Sequence, residues 1–186
     1  MRTALKGFIA VTALALSVPA LAGNPDQERA ELRKMCDEAL ATLYKAKPEA
    51  KKLVETSAGY GCFSSFGLAF FVGGSGGHGL VHDNKTNKTV YMNMGAASGG
   101  IDFGAKGYRE VLVFKSEATL TKFVTSGWKF GATGTAVAAA GGKGVKGQAA
   151  EVSGGDIQVF PMTKTGLQAG MSLEERKYWK DDDLNK

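Results

Sequence analysis

The sequence has few of the side chains that carry most enzyme chemistry, with two histidines and two cysteines among its 186 residues. The histidines, His78 and His82, are four apart in a segment of strand character, which places their Cα atoms about 13 Å apart. Two side chains at that separation cannot easily share one metal ion. No nucleophile stands beside a plausible base, and a Cys–His pair would depend on chance proximity in the fold. We therefore predict a protein that is not an enzyme and that uses neither a metal nor a cofactor.

Long apolar runs are absent after the first 22 residues. Those residues have the layout of a secretory signal peptide, with Arg2 and Lys6, then a short apolar run, then the small-x-small site A-L-A. The run is shorter than the roughly 20 apolar residues that a membrane-spanning helix needs. We predict a signal peptide at 1–22, cleavage before Gly23, and a periplasmic protein that can associate with the membrane.

A strong excess of one charge is also missing. The net charge is +5, and it falls to +3 when Arg2 and Lys6 leave with the signal peptide. This mild excess permits an anionic partner without requiring one, and we predict no binding to nucleic acid. Cys36 and Cys62 would enter a compartment that favours oxidation. Their spacing does not decide between a disulfide and two buried thiols, so both interpretations stay open.

The first part of the predicted mature chain, 23–57, has helical character. Asn24 can cap a helix that runs to Leu43, with Pro25 at its first position and Gln27 completing an N-x-x-Q capping box. Pro48 interrupts this helix or begins a second one that ends near Glu55. The spacing of the apolar residues predicts one buried stripe, formed by Leu32, Cys36, Ala39 and Leu43. A further helix is predicted at 117–124, between Ser116 as cap and Gly127 as terminator.

Glycine is abundant instead, with 26 residues, and residues 74–79 read G-S-G-G-H-G. This matches G-x-G-x-x-G, but a dinucleotide site needs a helix directly after the glycines. Here "LVHDNKTNKTVYM" follows, which predicts a strand and a hairpin. Glycines within strands permit close backbone approach and strong coiling of a sheet. We predict an α+β fold with an N-terminal helix, a glycine-rich, strongly coiled antiparallel sheet or small barrel over 58–186, and one further helix, all in one domain.

The strands are predicted from alternating apolar residues and from turn residues between them. The glycine-rich segment 139–150 reads as a loop. The end of the chain, "RKYWKDDDLNK", reads as a polar tail, whose acidic run is expected to be solvated. The predicted strands cover 66–72, 80–82, 89–94, 101–106, 110–114, 128–138, 156–162 and 166–173.

The order of these segments resembles the SYLF domain family, which includes yeast actin-patch proteins. The resemblance is carried by "FGLAFFVGGSGGHGLVHDNKTNKTVYMNMG", "GGIDFGAKGYREVLVF", "TLTKFVTSGWKFGATGTAVAAA" and "DIQVFPMTKTGLQAGMSLE", and by the terminal "KYWKDDDLN", which is similar to bacterial members. It covers about residues 50–186. The resemblance implies binding of phosphoinositides through a basic amphipathic N-terminal helix, and in some members binding of actin. Neither actin nor phosphoinositide is expected in a bacterial envelope, so the implied partner here is an anionic phospholipid or a lipid-like ligand.

Two interpretations of the N-terminal helix follow. If it inserts into a membrane, Leu32, Leu43 and Val54 enter the interface and a basic flank meets the headgroups. If its stripe packs on the sheet, that flank is a solvated edge. The candidate lipid-binding residues are Arg29, Arg33, Lys47, Lys51 and Lys52. The alternative function is a structural or stress-related envelope protein that binds another protein through its sheet face.

Overall fold

A computed structural model describes residues 24–70, 74–97, 108–130, 152–163, 166–167 and 176–186. Its helices are α1 (Pro25–Ala46), α2 (Glu49–Thr56) and α3 (Glu117–Ser126). Its strands are β1 (Gly59–Phe70), β2 (Gly74–Asp83), β3 (Lys88–Ala97), β4 (Tyr108–Phe114), β5 (Trp128–Phe130), β6 (Val152–Gly154), β7 (Ile157–Thr163), β8 (Gly166–Leu167) and β9 (Arg176–Lys180). All their pairings are antiparallel, which confirms the predicted α+β class. The predictions for 1–22, 101–106 and 139–150, and the parts of the predicted strands at 71–72, 131–138 and 168–173, lie outside the described residues.

Helix α1 begins where the capping residue predicts. The Asn24 side chain accepts a hydrogen bond from the amide of Asp26 at 3.0 Å, and Pro25 occupies the first helical position. The predicted capping box does not form, because the Gln27 amide donates to Glu31, one turn along the helix, at 3.0 Å. Pro48 separates α1 from α2 and stands as the cap of the second helix.

The strands form one sheet in the order β5-β9-β3-β2-β1-β4-β7-β6, with β8 added beside β7. Strands β9 and β4 are four places apart, which is about 19 Å in a flat sheet. Nevertheless Arg176 of β9 and Glu110 of β4 form an ion pair. The sheet must therefore curl strongly, so that side chains from distant strands meet across its concave inner face.

Each face of the curled sheet has its own apolar core. The inner core includes Phe63 and Phe114 from the strands and is closed on one side by Leu120 and Phe123 of α3. The outer core lies under α1 and α2, where the predicted stripe of α1 is buried against the sheet. In this outer core, Cys36 of α1 and Cys62 of β1 form a disulfide.

The glycines of the G-S-G-G-H-G segment lie within strand β2, which continues into the β2–β3 hairpin rather than a helix. A Cβ atom at Gly79 would lie 2.3 Å from the Phe63 ring and 2.3 Å from the carbonyl oxygen of Cys62. At Gly77, a Cβ would lie 2.4 Å from the carbonyl oxygen of Ser64. These glycines therefore allow β1 to pack closely on β2 and leave room for the Phe63 ring on the inner face.

The prediction of a polar tail from Arg176 onward is wrong. Residues 176–180 form β9, which pairs with β3 on one side and β5 on the other. Arg176 and Tyr178 are buried on the inner face, while Lys177 and Trp179 point outward. The inward positions hold an arginine and a tyrosine instead of aliphatic residues, so the alternation typical of a strand was hidden by their polarity.

Candidate functional site

The five basic residues predicted from the sequence occupy different environments around the helical layer. Arg33, Lys51 and Lys52 are exposed, whereas Arg29 and Lys47 are partly covered. Lys51 lies 3.9 Å from Glu55, and the Lys47 ammonium lies 5.3 Å from the centre of the Phe160 ring. These side chains do not converge on one point.

The apolar stripe beside these residues packs on the sheet. Leu32, Leu43 and Val54 are all buried in the outer core. Of the two interpretations that the sequence left open, the structure therefore shows the one in which the helix packs on the protein. In this conformation only the polar flank of α1 faces outward.

Arg29 is a clamp for the last residues of the chain. Its Nε donates to the carbonyl oxygen of Leu184 at 2.9 Å, and its Nη2 donates to the Lys186 carbonyl at 3.1 Å. Its Nη1 donates to Asp26 at 2.7 Å. Asn185 completes the attachment, because its side chain accepts from the amide of Tyr91 and donates to the Tyr91 carbonyl.

This attachment creates a groove of about 530 Å³ between α1, the outer face of β3 and the end of the chain. The groove brings Arg29 and Arg33 together and adds Lys186, whose ammonium contacts Asp183 at 2.5 Å. Arg33 forms no ion pair with any residue that the structure describes. The remaining lining residues are Asp26, Thr89, Tyr91, Leu184 and Asn185.

A buried polar cluster on the inner face was missed by sequence reasoning. Glu110 accepts hydrogen bonds from Tyr108, at 2.5 Å, and from Tyr178, and it pairs with Arg176. Arg176 also donates to the Tyr108 hydroxyl at 2.6 Å. The available signal is a charged residue, Glu110, inside a largely apolar strand, but two of its three partners, Arg176 and Tyr178, are 66 and 68 residues away.

Tyr108, Tyr178 and Arg176 all keep their protons near neutral pH, because the pKa of each is raised. Burial raises the pKa of Tyr108 and Tyr178 well above the usual range, and the charge of Glu110 raises it further. Burial alone would lower the pKa of Arg176, but Glu110 beside it raises this pKa above its ordinary value. The arrangement is therefore a fixed ion pair between neutral tyrosines, which suits holding two distant strands together.

The acidic run near the end of the chain has a local structural use. Asp181 Oδ1 accepts hydrogen bonds from the amides of Asp183, at 3.0 Å, and Leu184, at 2.9 Å, and so turns the chain toward α1. In the described residues, no group of three or more histidine, cysteine, aspartate or glutamate side chains is arranged so that it could bind a metal ion. Over the same residues, no helix has the length and apolar character needed to cross a membrane.

Comparison with known proteins identifies the family to which the chain belongs. Residues 95–186, about half of the chain, match the family described as "Ysc84: Las17-binding protein actin regulator". The chain belongs to the SYLF (Ysc84) domain family. This confirms the resemblance found in the sequence. The SYLF family is associated with the binding of lipid and of actin.

One curated relative of this SYLF chain is "Beta cell expansion factor A" from Aeromonas veronii. The two are 32% identical over 158 residues, which is 85% of the present chain and 59% of the relative. The chain thus spans about three fifths of the length of that protein. The family description and the relative's name both point to a domain without catalysis.

Proposed function

We propose that this SYLF protein is a non-enzymatic protein of the bacterial envelope that binds anionic phospholipid or a lipid-like anionic ligand. In this proposal the signal peptide at 1–22 directs it to the periplasm. The observation that supports lipid binding best is the groove in which Arg29, Arg33 and Lys186 meet, since the family is associated with lipid binding.

The two arginines of the groove have different roles in this proposal. Arg29 is held by Asp26 and by two carbonyl oxygens, so it shapes the groove and keeps its positive charge there. Arg33 is exposed and free of ion pairs in the described structure, so its guanidinium is available to a phosphate. A guanidinium matches the geometry of phosphate oxygens and can donate two parallel hydrogen bonds.

The binding is expected to be moderate and sensitive to salt. A basic residue near an anionic membrane contributes about 1 kcal/mol, and this contribution falls off within a Debye length. Asp26 lines the same groove and opposes an anion. Lys47, Lys51 and Lys52 lie outside the groove lining and would add only to the general attraction, reduced for Lys51 by Glu55.

Co-sedimentation with vesicles tests the proposal. The mature protein should sediment with phosphatidylglycerol-containing vesicles at low salt, less at high salt, and not with pure phosphatidylcholine vesicles. Arg33→Gln should weaken binding about fivefold, since it removes about 1 kcal/mol. Lys34→Gln is the matched control, because Lys34 is exposed on α1 but does not line the groove.

Three results would count against the proposal or part of it. Equal sedimentation with neutral and anionic vesicles would remove the preference for anionic lipid. Equal effects of Arg33→Gln and Lys34→Gln would remove the groove as the site. An absence of sedimentation with both kinds of vesicle would contradict lipid binding itself.

A further inference from the structure

Trp179 is an exposed aromatic side chain on the outer face of strand β9. It is 40% exposed, and it is the one large apolar side chain that is exposed in the described part of the structure. Its six-membered ring lies against Gly95 of β3, since a Cβ at Gly95 would lie 3.3 Å from two of the ring carbons. The ring is therefore supported from below by the sheet and remains open on its outward side.

Two lysines lie on the same outer face of the sheet as this ring. Lys177 is on the same face of β9, with its ammonium 5.6 Å from the centre of the Trp179 ring. Its partner across to β5 is Lys129, which is also exposed. Neither lysine forms an ion pair with any described residue. Like charges directly opposite on neighbouring strands repel each other, and an anionic partner would relieve that repulsion.

The helices leave this part of the sheet accessible. Helix α1 packs over β1, β2, β4 and β8, and α3 packs on the inner side of the sheet. A carboxylate, that of Asp181, follows two residues beyond Trp179, just after the end of β9. Its Oδ1 already accepts two backbone hydrogen bonds. Apart from this group, Lys129, Lys177 and Trp179 present a positive, partly apolar surface, which we call the Trp179 face.

We infer that the Trp179 face docks the protein on an anionic phospholipid bilayer. Tryptophan favours the level of the lipid headgroups because its ring is apolar and its indole N–H is polar. Lysines beside it are attracted by anionic headgroups. The face suits a flat surface because the ring lies on a strand, whereas the Arg33 groove suits one headgroup. This inference rests on the proposed function and adds the orientation in which the protein meets the membrane.

The chain has two tryptophans, which makes the contact directly measurable. Trp128 packs against the inner core, beside Phe123, and is the internal reference. In Trp128→Phe, the remaining fluorophore is Trp179. Its emission should shift to shorter wavelength with phosphatidylglycerol-containing vesicles, and brominated acyl chains should quench it. In Trp179→Phe, the emission of Trp128 should change little with the same vesicles. A shift seen in the wild type but not in Trp179→Phe is then assigned to Trp179, even if Trp128→Phe destabilises the core.

A pair of lysine variants tests the electrostatic part. Lys177→Gln should lower vesicle partitioning about fivefold at low salt, because one basic residue is removed from the contact. Lys115→Gln is the matched control, since Lys115 is exposed, has no ion pair among the described residues and lies outside the Trp179 face.

The outcomes separate this inference from the proposed function. Sedimentation with anionic vesicles together with quenching of Trp179 supports both. Sedimentation without any shift or quenching of Trp179 leaves lipid binding standing and overturns the Trp179 face as its contact. Equal losses for Lys177→Gln and Lys115→Gln also overturn it. If the protein sediments with neither kind of vesicle, both proposals fail.

Discussion

The two faces of the sheet are held in different ways. On the inner face, β4 and β9 are joined by a buried ion pair and by tyrosine hydroxyl groups, without any covalent link. On the outer face, α1 is fixed by apolar packing and by the Cys36–Cys62 disulfide. The inner contact holds the curl of the sheet, whereas the outer contact fixes a helix against the outer face of the sheet.

Substitutions on the two faces should therefore lower the free energy of unfolding in different ways. Loss of one partner in the inner cluster leaves a buried charge without compensation, which penalises the folded state directly. Loss of the disulfide acts mainly by giving the unfolded chain more freedom. The inner face should therefore respond most strongly to substitution, and the outer layer should loosen with the sheet still formed.

The largest effect is expected for Arg176→Met. This change leaves Glu110 buried without its counter-charge, so the free energy of unfolding should fall by about 3–5 kcal/mol. Urea denaturation of the variant and the wild type measures the difference. The double variant Glu110→Gln with Arg176→Met should recover part of the loss. A change of less than about 1 kcal/mol, the range of an exposed ion pair, would show that the cluster does not hold the sheet.

The next effect is expected for the disulfide. Cys36 and Cys62 are 26 residues apart, and a loop of that size corresponds to about 3 kcal/mol in the chain-entropy model. The double variant Cys36→Ala with Cys62→Ala should lose this stability and keep the circular dichroism signal of the strands. Wild-type protein in reductant should lose a similar amount. A melting temperature unaffected by either treatment would be inconsistent with a disulfide in solution.

A third effect concerns alkaline pH. Tyr108 and Tyr178 have a raised pKa in the folded protein. Their contribution to the free energy of unfolding is therefore fully present below about pH 10, the pKa of a tyrosine in the unfolded chain. Above that pH the unfolded tyrosines lose their protons first, and stability should fall by about 1.4 kcal/mol per pH unit for each tyrosine. Denaturation curves at pH 9 to 11 measure this slope.

Variants assign that slope to the inner cluster. Tyr108→Phe should make the pH dependence shallower, because one of the two titrating hydroxyls is gone. Tyr91→Phe is the control, since the Tyr91 side chain lies in the outer core and takes no part in the inner cluster. An equal slope in the wild type and in Tyr108→Phe would contradict the assignment.

The smallest effect is expected at the end of the chain. Arg29→Ala removes two hydrogen bonds to the carbonyls of Leu184 and Lys186, which should cost about 1–2 kcal/mol. Hydrogen exchange should become faster for amides of residues 181–186 before any others. Arg33→Ala is the control. It should leave both the free energy of unfolding and the hydrogen exchange nearly unchanged, because Arg33 does not bind the end of the chain in the described structure.

Local features of this fold could be predicted from the sequence. The spacing of Leu32, Cys36, Ala39 and Leu43 defines one helix face, and that face is buried. Ser116 and Gly127 mark the two ends of α3. The hairpin turn after Asp83 also follows from local residues. Each of these features depends on residues a few positions apart, which is why periodicity and capping rules are sufficient.

Features that depend on distant residues could not be predicted. The residues around Arg176 predict a solvated side chain. Its burial depends on Glu110, which faces it across the curled sheet and which no residue near Arg176 in the sequence indicates. The groove at Arg33 exists because Arg29 binds carbonyl oxygens 155 and 157 residues away. Periodicity indicates only which basic residues could share a flank of one helix, whereas the groove is built from a helix, a strand and the end of the chain.

The place of β9 in the sheet has a consequence for folding kinetics. It is the last strand in chain order among those described, yet it lies between β5 and β3 and is the one strand that pairs with β5. Until it pairs, the edge of β3 that it covers has open hydrogen-bonding groups, which are a template for association with other chains. Pairing over such sequence distances is slow. The sheet therefore closes only when residues 176–180 pair with β3 and β5, and until then the uncovered edge of β3 is the part of the folding chain most in need of protection.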